Sequence, residues 1–395
     1  MKPLHLDYGQ RDHRDARGQI CSGKRSKSAR VRLGRADVRA TLGSVLVIVL
    51  VTLLFASVAV VAFIEQASND LLVESRAAAA RRLRQEAYST LEVTLATLQG
   101  FVQADNGLHH PGEGWDTPLE FADWKPREGC TAVVTFEDES GKIPLPRVDA
   151  ATLVSVFESW KLSPPDAERL ADALLSWMRK DYVPARGLAT DYDQRTIPYN
   201  VPARSLRSYS ELAAIDDARD VFYDEQGRPN DLWRRFVATF SLFDYQQVNL
   251  NSASPEVLQA LGFSEPAQQQ RLGEYLAGTG ANAALGPRWL SSSSDAMTVL
   301  GSGALPPLAG MQIRALRVNI LMREGGSVFR LTAVVAPSGG ATLVQSTATS
   351  ATSPASGAAT SPSAAPVTPP PQLNYPFTLL EIRENAEMPA VPPAA

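Results

Sequence analysis

The sequence predicts an α+β protein in which one long N-terminal helix precedes an antiparallel sheet that is interrupted by a large helical insert. The first observation is an uncharged apolar run that continues without a break into a striped amphipathic helix. The second is that runs rich in β-branched residues, typical of strands, occur on both sides of a long helical segment. The predicted strands are 131–136, 312–322, 328–335 and 377–382, and the helical segment is 149–300.

Residues 44–64 form the apolar run, which carries no charge over 21 positions. A helix of this length spans about 30 Å, the thickness of a bilayer's hydrocarbon core. No second run of comparable length occurs, so the sequence predicts a single-pass membrane protein. Residues 1–42 have a net charge of +7 and the rest of the chain −11. Basic flanks stay in the cytoplasm, so we expect a cytoplasmic N-terminus and an exported body.

The helix is predicted to continue past the membrane surface, because no Pro or Gly occurs between residue 65 and Gly100. Apolar side chains then recur every three or four residues and form one stripe, which predicts packing of this part of the helix on a soluble domain. The stripe consists of Leu83, Ala87, Leu91, Leu95, Leu98 and Val102.

The helical insert contains two similar stretches, 156–175 and 257–276, each with a Ser-x-Pro signal that starts its second helix. We interpret them as two helical hairpins, with chance similarity between helix pairs as the alternative. Residues 336–374 are almost uncharged Ser, Thr, Ala, Pro and Gly, a composition that cannot bury enough apolar area to fold. This linker therefore interrupts the sheet before its last strand.

The predicted organisation has a basic leader, the long helix, a sheet built from three segments, the helical insert and the linker. In that order they are 1–43; 44–104; 105–148 with 301–335 and 375–384; 149–300; and 336–374.

Catalytic motifs are absent from the sequence, which predicts a protein that is not an enzyme. His109 and His110 are adjacent in a loop and form a weak candidate metal site, with simple solvation as the alternative. The two cysteines, Cys21 and Cys130, fall on opposite sides of the predicted membrane span and cannot pair.

Acidic clusters are the other candidate ion sites, because carboxylates on loops suit calcium. The alternative is a solvated acidic surface, and no EF-hand spacing is present. The clusters are Asp191 with Asp193, and Asp216, Asp217, Asp220 and Asp224.

The segment 248–261 (VNLNSASPEVLQAL) combines a short strand, Asn and Ser caps and a helix starting at Pro255. It is similar to helix-hairpin-helix modules that bind DNA phosphates. The corresponding turn, Gly262-Phe263-Ser264, lacks the second glycine of those modules. The exported part is also acidic, so no nucleic-acid partner is expected. A single-pass envelope protein whose helix-hairpin-helix-like body binds DNA or a protein partner is the alternative function.

The junction between the leader and the helix consists of a basic segment, then Gly43, then the uncharged run. That pattern is typical of a prepilin-type leader cut between Gly43 and Ser44. A plain signal anchor with a glycine at the interface is the alternative.

Taken in order, these segments resemble the general secretion pathway protein K family, minor pseudopilins of the bacterial type II secretion system. The resemblance rests on Gly43 before the helix and on five further segments in the family's order. They are 136–145 (FEDESGKIPL), 168–177 (ERLADALLSW), 197–212 (IPYNVPARSLRSYSEL), 248–261 and 379–384 (LLEIRE).

The resemblance implies a pilin-like fold: a long N-terminal helix packed on an antiparallel sheet, with an all-α inserted domain. It implies an inner-membrane protein with a periplasmic body, cut by the prepilin peptidase at Gly43 and Ser44. It also implies a tip complex with minor pseudopilins I, J and H, and calcium bound by ligands in the insert that this sequence leaves unknown. The residues expected to pack in the pseudopilus are Val45, Leu46, Ile48, Leu50 and Leu53.

Ile48 is the fifth residue after the expected cut, where most pilin-type subunits carry a Glu that neutralises a neighbour's N-terminal ammonium. An unpaired charge inside an apolar filament core is costly. A subunit without that Glu fits the tip, where no earlier subunit lies above it.

Overall fold

The computed structural model describes residues 38–185, 192, 198–343 and 377–385, and it divides into two compact units at Leu72/Val73. The predicted boundaries of the helical insert stay predictions. The first unit consists, in its described part, of the start of helix α1, which runs from Val38 to Asp105 over 68 residues. The predicted long helix is confirmed, and it begins six residues before the expected position 44 because the backbone around Gly43 is also helical.

The second unit contains the sheet and the remaining helices. In chain order its elements are α2 (Pro118–Phe121), β1 (Cys130–Asp138), β2 (Ile143–Pro144), α3 (Ala150–Ser159), α4 (Pro164–Met178), α5 (Asp216–Phe222), α6 (Asp231–Thr239), β3 (Phe240–Ser241), β4 (Val248–Asn249), α7 (Pro255–Ala260), α8 (Pro266–Ala277), α9 (Ser293–Leu300), β5 (Ala309–Gly310), β6 (Leu316–Glu324), β7 (Ser327–Pro337) and β8 (Phe377–Glu384).

The main sheet has four antiparallel strands in the order β1-β6-β7-β8, which confirms the predicted α+β fold class. Strands β1 and β6 are neighbours although all elements from β2 to β5 lie between them in the chain. The helical segment is thus inserted between two paired strands. Strands β6 and β7, both predicted, form a hairpin, and Gly325 in its turn has a φ of 55°, which a glycine adopts without strain.

Strand β6 begins at Leu316 and not at the predicted position 312. Strand β1 ends at Asp138, the partner of Leu316, so no strand remains to pair with the preceding residues. Their backbone groups bond elsewhere: the Arg314 N–H donates to Ser140 Oγ, and the Ala315 carbonyl accepts from the Ser140 N–H. Strand β7 continues to Pro337, two residues into the predicted linker, and 344–374 lies outside the described residues.

One face of the sheet, which we call the inner face, packs on helix α1. The predicted stripe is confirmed, because Leu83, Ala87, Leu91, Leu95 and Leu98 are all buried there and Val102 is half-buried. The side chains they meet alternate along the strands, as the pleat requires. They include Leu316, Val318, Ile320, Met322, Leu331, Ala333 and Val335.

The opposite, outer face of the sheet packs on the inserted helices. Val334, Ala336 and Leu380 from the strands share one core with large aromatic side chains of the insert. These include Phe157, Trp160, Phe222, Phe236 and Phe240. The insert therefore covers the part of the outer face around these three strand residues, while Val133 and Val328 remain about half exposed.

Helices α3 and α4 correspond in sequence to the first predicted helical hairpin, and helices α7 and α8 correspond to the second. The short strand predicted at the start of 248–261 is β4, but its parallel pairing with β5 and the parallel pair of β2 with β3 were not predicted. Each strand in them has only two residues, too few for an alternating pattern to be visible in the sequence.

Replacing Leu98 with alanine tests the packing of α1 on the inner face. The Leu98 side chain is fully buried, so Leu98→Ala should lower the free energy of unfolding by about 2–5 kcal/mol. Leu72→Ala, on the same helix but 56% exposed, is the matched control and should change it little. Urea unfolding of the detergent-solubilised chain, followed by tryptophan fluorescence, measures both. Equal effects of the two substitutions would contradict the described packing.

Candidate functional site

The apolar part of helix α1 is the first candidate surface. All side chains from Val45 to Ile64 are exposed, and the predicted packing residues Val45, Leu46, Ile48, Leu50 and Leu53 are 59–67% exposed. A contiguous apolar surface of this extent marks contact with a membrane or with protein partners. Within the described residues, α1 is the one helix long and apolar enough to cross a membrane.

The polar side chains in this part of α1 bond to the helix itself. Thr52 Oγ1 donates to the Val49 carbonyl at 2.9 Å, and Ser57 Oγ donates to the Leu53 carbonyl at 2.7 Å. Both hydroxyls therefore keep a hydrogen bond in surroundings without water. Gly43 and Ser44 lie near the N-terminal end of the helix, and cleavage between them stays a prediction.

A buried ionic cluster lies on the outer face of the sheet and is the second candidate site. Glu139, fully buried in a short 3-10 turn after β1, accepts hydrogen bonds from Arg317 Nε at 2.8 Å and from Arg317 Nη2. Lys142 Nζ donates to Glu139 at 3.2 Å and to Glu137 at 2.6 Å. Glu381 on β8 lies 3.9 Å from Arg317. Segments that are distant in the chain thus meet as one cluster.

The cluster stays ionised although it is buried. Burial alone would raise the pKa of the Glu139 carboxyl, but Lys142 and Arg317 hold that pKa below its ordinary value. Burial alone would lower the pKa of the Lys142 ammonium, and Glu139 holds it above its ordinary value. Removing one partner would leave an uncompensated charge in the core.

Asp138, at the end of β1, joins three parts of the chain. One of its carboxylate oxygens accepts from the Ser140 N–H at 2.8 Å, and the other accepts from Asn249 Nδ2 at 2.8 Å and from Ser252 Oγ. Burial raises the pKa of Asp138, and these hydrogen bonds oppose the rise. Asn249 Nδ2 also donates to the His109 carbonyl at 2.9 Å. The predicted 248–261 motif is therefore tied to β1 and to the loop after α1.

Asn251, from the same motif, connects two further loops. Its amide donates to the Leu290 and Met311 carbonyls at 3.0 Å each, and its Oδ1 accepts from the Leu290 N–H at 2.7 Å. Gly141 lies so close to Ser252 that a Cβ would come within 2.8 Å of its backbone oxygen. The motif thus has a structural role at the joint between the sheet and the insert.

The turn between α7 and α8 already uses, within itself, two of the backbone N–H groups that a phosphate-binding turn would offer to its ligand. The Gly262 N–H donates to the Gln259 carbonyl, the Phe263 N–H donates to the Leu258 carbonyl, and the Phe263 ring is buried. A DNA-binding helix-hairpin-helix needs such groups to face the ligand. The geometry therefore does not favour the alternative function.

The two adjacent histidines have different partners. His109 is buried, and its Nδ1 lies 2.7 Å from a Glu113 oxygen, while Trp115 Nε1 donates to the other Glu113 oxygen at 2.9 Å. His110 instead accepts a hydrogen bond from the Gly112 N–H, and burial lowers the pKa of its ring. The two rings are not brought together as a metal site.

Three of the aspartates in the acidic cluster on and around α5 form ion pairs with arginines. Arg219 lies 2.9 Å from Asp216 and 3.7 Å from Asp220, and Arg169 lies 3.7 Å from Asp217. These contacts fit a charged surface stabilised by its own ion pairs.

The remaining acidic residues do not converge either. Asp224 accepts hydrogen bonds from the backbone of its own turn, and Asp191 and Asp193 lie outside the described residues. Within the described ranges, no group of three His, Cys, Asp or Glu side chains could hold a metal ion. Calcium binding stays a proposal. Cys130 is buried and free.

Comparisons with known proteins give limited information. No protein-family model matches the chain, and no curated protein matches it. Among solved structures, the chain is similar to one in the crystal structure of the GspK–GspI–GspJ complex from the type 2 secretion system of enterotoxigenic Escherichia coli. The TM-score is 0.46 at 14% identity, and the match covers 79% of this chain and 99% of that chain.

Sequence reasoning missed the ionic cluster, although Glu139 and Lys142 lie in a segment it singled out. Their partner Arg317 follows 178 residues after Glu139 and lies in an alternating strand pattern, where a charged residue is normally assigned to solvent. The one available signal was a charged residue within an otherwise apolar strand segment.

Replacing Glu139 with glutamine tests the cluster. Glu139→Gln leaves Arg317 and Lys142 buried without their main counter-charge, so it should lower the free energy of unfolding by about 3–5 kcal/mol at neutral pH. Folding lowers the pKa of Glu139 below its ordinary value of 4.5. The ionised carboxylate therefore contributes its full stabilisation above about pH 4.5, and this stabilisation is lost as the pH falls through the pKa of the folded state. The difference between wild type and variant should therefore shrink in acid.

Glu158→Gln, at an exposed position of α3, is the matched control and should change stability little at any pH. Chemical denaturation curves recorded between pH 3 and pH 7.5 provide the comparison. A difference between wild type and Glu139→Gln that stays constant over this range would show that the ionised carboxylate is not the stabilising form.

Proposed function

We propose that this chain is a minor pseudopilin of a type II secretion system, a non-enzymatic assembly protein. The observation that carries the proposal is the continuous helix α1. Its first part presents an uncharged, exposed surface, and its second part fills the inner face of a four-stranded antiparallel sheet. One helix thus serves both a lipid or subunit-packing environment and the core of a folded domain. A simple anchor needs only the first part.

The proposed place in the assembly is the tip. Val45, Leu46, Ile48, Leu50 and Leu53 would pack against the helices of other subunits after extraction from the inner membrane. Ile48 carries no charge that could pair with the N-terminal ammonium of an earlier subunit, so the chain suits a position with no subunit above it. The tip complex would start and cap the pseudopilus.

The proposed partners are minor pseudopilins I, J and H, with the prepilin peptidase acting on the leader. Before assembly the chain would lie in the bacterial inner membrane with its N-terminus in the cytoplasm, since the first 42 residues are basic. The second unit would then be periplasmic. The proposed calcium ion would take its ligands from the insert, where Asp191 and Asp193 are candidates.

Processing between Gly43 and Ser44 is the direct test of this proposal. In cells carrying a prepilin peptidase, the membrane-extracted protein should begin at Ser44, as read by N-terminal sequencing and intact mass. Gly43→Leu should abolish the cut, because a bulky side chain replaces the small residue that the peptidase needs at the cleavage position. Secretion through the system should fall with it.

Gly34→Leu, at another glycine of the basic leader, is the matched control and should be processed as wild type. A functioning strain in which residues 1–43 remain attached would remove the assignment. Loss of processing in both variants would mean that a leucine anywhere in the leader prevents the cut. Support for cleavage at Gly43 therefore requires that Gly34→Leu is processed as fully as wild type.

A further inference from the structure

Strand β1 forms one edge of the main sheet and is paired on one side only. Its neighbour is β6, and the pairing runs without a register shift over all nine residues of β1. The Cys130 N–H donates to the Arg127 carbonyl, outside the sheet. Because backbone groups alternate in direction along an antiparallel strand, Ala132, Val134 and Phe136 also direct their N–H and C=O groups away from β6. Within the described ranges these groups make no hydrogen bond, so β1 presents an open row of donors and acceptors.

This open edge is accessible from both faces of the sheet. On the inner face, Val134 is half-buried, whereas its cross-strand partner Ile320 on β6 is only 2% exposed. The side chains of β1 that are exposed on the outer face are those of Thr131, Val133 and Thr135. Farther along, the Trp115 ring packs edge-on against Phe136 with 5.1 Å between the ring centroids. An added strand therefore has room along the first part of β1, before Phe136.

The composition of β1 distinguishes it from the other edge of the sheet. The run Cys130–Phe136 contains no charged residue and no proline. Edge strands are usually protected from pairing by charges, prolines or bulges. Strand β8, at the opposite edge, has such protection, because Glu381, Arg383 and Glu384 are charged and its pairing with β7 contains a register shift. The unprotected sequence of β1 fits an edge that is used for pairing.

We propose that β1 binds an extended segment of another polypeptide, which adds a fifth strand to the sheet. The backbone identifies this occupant: the outward N–H and C=O groups of β1 match those of a strand, whereas an ion would leave most of them unpaired. The side chains of the segment next to Val133 and Val134 are uncharged, because neither neighbour offers a counter-charge. The pairing does not depend on cleavage at Gly43, so it can fail while the proposed function stands, and the reverse.

Binding of short peptides to the full chain in lipid nanodiscs, measured by fluorescence anisotropy, tests the backbone pairing. The probe is fluorescein-labelled Lys-Thr-Val-Thr-Val-Thr-Lys, and the control is the same peptide with its central amides N-methylated. The probe should bind, and the control should bind at least about tenfold more weakly, because it cannot donate hydrogen bonds to β1. Empty nanodiscs correct for binding to lipid. Equal binding of the two peptides, or no binding of the probe at millimolar concentration, would overturn the proposal.

Substitutions in β1 locate the pairing. Ala132→Pro removes one outward N–H and keeps the bonds to β6, so it should weaken binding of the probe at least about tenfold. Val133→Lys places a charge beside the added strand and should also weaken binding. Val328→Lys, at an equally exposed valine of the same face on β7, is the matched control and should leave binding unchanged.

Urea unfolding of each variant shows whether the sheet is intact, and Val133→Lys keeps the test decisive if Ala132→Pro does not fold. Equal effects of the two lysine substitutions would overturn the assignment to β1. Sedimentation of the nanodisc-free, detergent-solubilised chain tests a different occupant. A dimer that forms in wild type and is abolished by Val133→Lys but not by Val328→Lys would show that a second copy occupies the edge, and would overturn the proposal.

Discussion

The buried ion pair between Glu139 and Arg317 is the interaction on which the arrangement of sheet and insert depends. The chain leaves the sheet after Asp138 and re-enters it at Leu316, and the paired residues follow directly on each side of that gap. The ion pair thus joins the beginning of the inserted segment to the strand that follows its end. Since either charge alone in the core would be strongly unfavourable, the insert is held to the strands from which it emerges.

Three of the segments that carry the resemblance to the protein K family meet at the joint between the sheet and the insert. The segment 136–145 supplies Asp138, Glu139 and Lys142 to the joint, and 248–261 supplies Asn249 and Ser252. The final segment, 379–384, contributes Glu381 on the same outer face. Side chains of these three segments contact one another across the joint, so its geometry depends on all three.

Much of this architecture was visible in the sequence because its signals are local. The stripe on α1 and the β-branched run of β7 both depend on neighbours within a few residues, and both elements were predicted. The ionic cluster depends on a contact across 178 residues, which no local pattern encodes. The start of β6 was misplaced for the same reason, because Arg314 and Ala315 look like strand residues until their bonds to Ser140 are known.

The candidate sites also divide into those that a local sequence pattern predicts and those that depend on contacts between distant residues. The exposed apolar residues from Val45 to Leu53 were predicted from composition alone, since a long uncharged helix has few other uses. The hydrogen-bonding role of Asn249 and Asn251 could not be predicted, because the same residues also cap helices and bind phosphates. Only their partners, Asp138 and the Leu290 backbone, distinguish these uses.

The odd-numbered and even-numbered side chains of strand β7 pack into two different hydrophobic cores. Leu331, Ala333 and Val335 belong to the core of α1, while Val334 and Ala336 belong to the core of the insert. A slip of one residue would exchange the two sets and expose both cores to mismatched neighbours. The packing of α1 on the sheet and the packing of the insert on the sheet therefore depend on the register of the same strand.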